Sequence, residues 1–194
     1  MSRTPGLVMP HFKDQSLIPQ EAVRLCALGL LAEHDRRFGE LAVEVRRFVS
    51  RMLGPSLDVL GTSIEGLRYQ GLMEGLGPRA TPGQSLTGET MVRLTPAGRV
   101  ALDELMTSRI RGPMNDLTKL VVALKLRFLS LLEPAAQRGQ IEQLIAASEQ
   151  EVARLKDLHT QHDKAGDLLG DWLAQDIAQA QARIEWYRAH LDSR

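Results

Sequence analysis

The chain has 194 residues, 43% hydrophobic and 25% charged, with 24 Lys and Arg balanced by 24 Asp and Glu. That composition is globular and fits one ordinary domain or two small ones. No membrane-spanning helix is expected, since no apolar run approaches about 18 residues, and no secretory leader is expected, since the opening MSRTPGLVMPHFKDQ lacks an apolar core.

Residues 1–15 hold Pro5, Gly6 and Pro10 without periodicity and read as an arm. Pro19 opens a first helix, with Ala22, Leu25, Cys26, Leu28 and Leu31 at helical spacing. Cys26 is the lone cysteine, and between Leu25 and Ala27 it reads as a small buried hydrophobe, so the chain is expected to be cytoplasmic and free of disulfides. The charged stretch His34–Arg37 ends that helix. Phe38, Leu41, Ala42, Val45, Phe48, Val49 and Met52 make a second, closed by Gly54 and Pro55. A third begins at Ser56 or Asp58, turns Leu60, Ile64 and Leu67 inward, and stops at Gly71 in the C′ position.

Leu72–Leu76 and Thr90–Leu94 then read as two strands around a loop rich in Gly, Pro, Ser and Thr. Thr95 offers its hydroxyl as an N-cap and Pro96 fills the first helical position of a fourth helix running to about Ile110. Helix, helix, turn, helix, hairpin, helix is the order of a winged helix-turn-helix. Beyond Gly112 and Pro113 come three apolar stripes: Leu117–Leu131, Ile141–Leu155, and Leu169, Leu173, Ile177, Ala180, Ile184, Tyr187 and Leu191. The last is spaced as the seam of a helix packed lengthwise on partners. The fold class is therefore mainly α: an arm (1–15), a winged helix-turn-helix with a two-stranded wing (16–110) and a C-terminal helical domain (111–194). The stripes close either within an intramolecular bundle or against a second copy, which a helix-turn-helix protein needs to span two half-sites.

Charge is unevenly distributed. Residues 14–106 carry ten Arg against twelve Asp and Glu, residues 107–132 five basic against one acidic, and residues 133–194 seven basic against eleven acidic. Phosphate binding needs clustered cations, so any DNA-binding face has to be local.

The words QGLMEG and VRLTPAGRVALDEL, in that order after VRLCALGLLAEHDRRFGELAVEV, resemble the PadR-like family of bacterial transcriptional regulators. The resemblance spans about residues 18–106 and extends more loosely to ARIEWYRAHL, which is similar to the last helix of PadR relatives with long C-terminal domains. It implies a homodimeric DNA-binding repressor, dimerised through its C-terminal helices and answering to a small planar aromatic effector. Relatives carry a Ser-Leu-Tyr-Pro-Ala-Leu-like segment in the third helix. Here Val59–Ile64 keeps Leu60, lacks the Tyr and Pro, and has Gly61, which weakens a helix by up to about 1 kcal/mol relative to Ala.

Outward positions of the third helix are Thr62, Ser63, Glu65, Arg68 and Tyr69. Arg68 suits guanine O6 and N7, Glu65 cytosine N4, and Thr62 a thymine methyl. Arg79 at the wing tip, Arg93 on the returning strand, and Arg46 and Arg47 on the second helix suit phosphates or a minor groove. Leu169, Leu173, Ile177, Ile184 and Tyr187 are the expected dimerisation residues, and Trp172 and Trp186 an expected platform for a planar ligand. No catalytic residues, metal or cofactor are expected: His159, His162 and Asp163 have zinc-like spacing but no third strong ligand set by sequence. The expected partners are double-stranded DNA and a second copy, with no membrane. The competing expectation is a degenerate winged helix that binds protein and reads no DNA sequence. A weaker one is a ligand sensor without DNA function.

Overall fold

The computed structural model describes residues 19–54, 64–77, 85–110, 115–162 and 168–192. The elements are α1 (Pro19–Glu33), β1 (Arg36–Arg37), α2 (Phe38–Leu53), α3 (Gly66–Tyr69), β2 (Met73–Leu76), β3 (Met91–Leu94), α4 (Pro96–Thr107), α5 (Asp116–Arg127), α6 (Pro134–Gln161) and α7 (Leu168–Asp192). A 3-10 turn over Leu129–Leu131 joins α5 to α6. Mostly helix with one small antiparallel sheet, this is a winged helix joined to a helical domain, as the residue pattern predicts.

The wing has three strands rather than two, in the order β1-β3-β2. The charged break after α1 is itself a strand, with Arg36 opposite Val92 and Arg37 opposite Met91. β2 pairs with β3 from Met73–Leu94 to Leu76–Met91. Gly71 and Gly77 bracket β2 with φ of 70° and 90°, backbone that glycine adopts without a Cβ penalty.

The helix after the wing starts where its cap requires. Thr95 Oγ1 accepts from Gly98 N at 3.0 Å and donates to the Gly71 carbonyl at 2.6 Å. One hydroxyl thus caps α4 and fastens it to the end of α3. Gly98 is buried against the Leu72 carbonyl oxygen, which a Cβ would overlap. The Leu-Thr-Pro-Ala-Gly word is therefore a packing device as much as a cap.

The main core does not divide at residue 110. Leu25, Leu28, Leu41, Val45, Met73, Val92 and Leu102 share it with Leu120, Leu124 and Phe128 of α5. Phe128 lies where a side chain on Gly29 would have to be. α5, placed by sequence in the C-terminal domain, packs on α1 and α2 because its apolar stripe fits the groove between them. α6 and α7 form a long antiparallel pair, tied by Arg188 to Glu149 at 2.7 Å, with a small core of Val152, Ala180 and Ile184.

A buried lysine holds the two parts together. Lys125 on α5 is 0% exposed, and its Nζ donates to the carbonyls of Leu105 (3.0 Å), Met106 (2.5 Å) and Ser108 (2.8 Å) and to Gln140 Oε1 (3.2 Å). The ammonium caps the C-terminal end of α4, where orphan carbonyls and the helix dipole favour a cation, and links that end to α6. Burial pulls its pKa down to about 7.

Candidate nucleic-acid interface

α2 ends at Leu53 ahead of Gly54 (φ 79°), and the described chain resumes at Ile64, just before α3. Residues 55–63 lie outside the described residues, and with them Ser56, Asp58, Leu60, Gly61, Thr62 and Ser63. The described residues in and just before α3 divide as the pattern predicts. Ile64 and Leu67 are buried, while Tyr69 is 71% exposed and Arg68 half-buried beside it.

Glu65 has a structural partner. Its Oε1 accepts the backbone N–H of Leu86 at 3.1 Å, with Leu86 buried at the base of the wing. A carboxylate fixed there pins the wing to α3 and has one oxygen fewer to offer a cytosine. Arg24 of α1 reaches Gln70 Oε1 and steadies the same end of α3.

Arg93 is likewise engaged within the fold. Its Nε and Nη2 donate to Asp35 Oδ2 at 2.9 and 2.6 Å, a bidentate pair joining β3 to the turn after α1. The hydrogen bond from Arg93 is the main reason the Asp35 carboxyl sits below its usual range. The same pairing raises the Arg93 guanidinium. The pair lies at the surface, where solvent screens it and its contribution to stability is small. Arg37 joins Glu89 at 3.2 Å on the neighbouring strand. Arg79 lies outside the described residues.

Arg46 and Arg47 stand exposed on α2, and neither guanidinium has an ion-pair partner among the described residues. The same holds for Arg51, one turn beyond Arg47. Arg36 is buried by contrast, facing Glu33 at 3.4 Å and Glu44, with Arg127 3.2 Å from Glu33. Arg36, Arg93 and Arg127 thus help close the fold, whereas Arg46, Arg47 and Arg51 on α2 have no ion-pair partner among the described residues.

The apolar stripe of α7 lies mostly within the chain. Leu173, Ile184 and Tyr187 are buried and Ile177 packs beside the small core, all against α6 or the main body of the same chain. They are used intramolecularly, because α7 lays this stripe along α6. The apolar surface left over is on another face: Leu168 (82% exposed), Trp172 (58%) and Trp186 (48%), with Leu169 at its edge. Trp186 rests on His190, their ring centroids 4.1 Å apart. At about 1.5 Å per residue the two indoles are about 21 Å apart along α7, too far for one small planar ligand to touch both in the same chain.

Cys26 is buried and its thiol is pushed up to about 12 by that burial, so it acts as the small hydrophobe its context predicts. His159 and His162 end α6, Asp163 lies outside the described residues, and no group of three metal-ligating side chains occurs among the described residues. No described helix is long and apolar enough to cross a membrane.

Residues 12–190 match the model of the family described as "Putative AphA-like transcriptional regulator". The chain belongs to this family. The match takes in the winged helix and the helical hairpin together, so an AphA-like chain comprises both. The family is one of transcription regulators, not a class of enzymes. The PadR-like name suggested by the motif words is not the one matched, and no curated protein matches the chain. Residue type does not single out Lys125 as a joint, although it sits at i+4 from Val121 and i−3 from Phe128, on the buried stripe itself.

Proposed function

We infer that this AphA-like regulator binds double-stranded DNA as a homodimer and represses transcription until a small ligand releases it. The observation that carries the reading is the joint at Thr95, which locks a three-stranded wing and the end of α3 into one rigid reading head. In this reading the third helix enters the major groove, with Arg68 and Tyr69 at its described end and Thr62 and Ser63 before them. Arg46 and Arg47, exposed and without an ion-pair partner among the described residues, take phosphates, and Arg79 is expected to do the same. The second copy covers Leu168, Trp172 and Trp186, large apolar side chains that α7 leaves uncovered. Two heads joined in this way span two half-sites.

A gel-shift series on fragments upstream of the gene, at two salt concentrations, tests the reading. Arg68→Ala costs about 1–3 kcal/mol on the cognate fragment and little on other duplexes, because it removes a base contact. Arg46→Ala weakens all duplexes alike and lowers the salt slope by about 1. Repression itself appears as a rise in transcription from the bound promoter when the gene is deleted. Binding to no fragment at low salt overturns the reading.

One observation favours a second reading, a winged helix that docks on protein. Glu65 and Arg93, two of the residues expected at DNA, are held inside the fold. That alternative predicts no salt-dependent DNA affinity.

A further inference from the structure

A cavity of about 570 Å³ opens between α1, α2 and α5, and no described residue of α3 or α7 lines it. Its volume is that of small-molecule sites, which run from about 300 to 1,000 Å³. Cys26 and Leu30 of α1 form the floor, and Val43, Phe48 and Met52 of α2 the apolar wall. Val43 is 53% exposed, on the outer side of α2. The apolar side of α2 that packs inward is Leu41, Val45 and Val49, so Val43 and Met52 are surplus to the core.

The charges around the rim are unequal in what they have left to bind. Glu44 meets Arg36 and lies 3.9 Å from Arg127, and Arg127 in turn pairs with Glu33. Glu40 accepts from the Arg37 backbone N–H at 3.4 Å. Arg47 and Arg51 stand four residues apart on α2, both at the cavity, and neither has an ion-pair partner among the described residues. Side chains at that spacing share one helix face. Two guanidiniums with no ion-pair partner among the described residues, above an apolar floor, form a site for one anionic head on a greasy body, because guanidinium forks match carboxylate and sulfonate oxygens.

We propose that the α1–α2–α5 cavity binds an amphipathic organic anion, its carboxylate or sulfonate held by Arg47 and Arg51 and its apolar body laid on Leu30, Val43, Phe48 and Met52. The complex is non-covalent, since Cys26 on the floor is buried and its thiol stays protonated. A ligand here touches α2, which leads into the reading head, and α5, which leads into the helical hairpin. Its role as the effector rests on the regulator reading. Binding itself does not, and it is measured without DNA.

The probe is 8-anilinonaphthalene-1-sulfonate, followed by its fluorescence on the full chain, with decanoate and decylammonium as competitors. The expected result is one saturable site per chain, emptied by decanoate and not by decylammonium. The Arg47→Ala/Arg51→Ala double variant, at exposed positions and checked for an unchanged circular dichroism spectrum, binds about tenfold more weakly or worse. Trp172→Ala binds as the parent does. Equal binding by the double variant, equal displacement by decylammonium, or loss of the site in Trp172→Ala overturns the proposal. A failed gel shift leaves this result standing, and a failed titration leaves the DNA reading standing.

Discussion

α5 and α7 carry apolar stripes of similar regularity and meet different fates. Leu120, Val121, Leu124 and Phe128 of α5 are all buried in the main core, wedged against α1 and α2. α7 buries Leu173, Ala180, Ile184 and Tyr187 but leaves Leu168, Trp172 and Trp186 on an adjoining face. The lesson is that helical periodicity says which side chains lie together and not what covers them. α5 finishes the winged helix, whereas α7 finishes one side of a thin hairpin and leaves another for a partner. Stability is therefore expected to concentrate in the main body and assembly in the hairpin.

The sharpest test of that contrast compares two truncations. Leu124→Ala opens a hole in a closed core and costs about 4 kcal/mol, while Ile184→Ala, in a small core that relaxes more easily, costs about 2 kcal/mol. Urea unfolding curves of the two variants measure the difference. Equal losses would mean the hairpin core is as closed as the main one.

Lys125 couples the two regions, and its removal comes next in size. Lys125→Met leaves the Leu105, Met106 and Ser108 carbonyls without an Nζ N–H donor and costs about 2–3 kcal/mol near pH 9, where the folded Nζ is a neutral amine. The loss depends on pH in a definite direction. With a folded pKa of about 7 against an ordinary 10.5, the unfolded chain keeps a proton that the folded one gives up. Stability attributable to Lys125 therefore rises from about pH 7 towards 10.5, and the effect of the substitution is smallest below pH 7. Denaturation midpoints of parent and variant at pH 6, 8 and 9.5 check the slope. A constant gap between them would contradict it.

The smallest effect concerns the surface pair at the wing. Asp35→Asn frees Arg93 while leaving the strand in place, so affinity for any duplex rises slightly and the salt slope steepens by about 1. Lowering the pH through the depressed Asp35 carboxyl has the same sense, because protonation breaks the pair. Fluorescence anisotropy across a salt series detects either change, and an unaltered slope would show that Arg93 lies clear of the duplex.

The sequence carried the wing and the cap plainly, because glycine, proline and threonine impose local geometry. Gly71 ends α3 with φ of 70° and Thr95 caps α4 as their chemistry dictates. β1 was hidden: two arginines have no alternation to read, and Arg36–Arg37 becomes a strand only because β3 presents an open edge. Glu65 was hidden for the same kind of reason, since its partner, the Leu86 N–H, lies 21 residues away. Lys125 carries no local sign of its role, because the carbonyls it meets lie 17 to 20 residues away at the end of α4. Local rules were legible, and long-range partners were not.

Sedimentation velocity on the full chain, alone and with a fluorescent promoter duplex at low salt, tests the central claim most directly. The account predicts a dimer at micromolar concentration, two chains on each duplex, and a dimer weakened by Trp172→Glu with the fold intact by circular dichroism. A monomer that leaves the duplex sedimenting unchanged would contradict it.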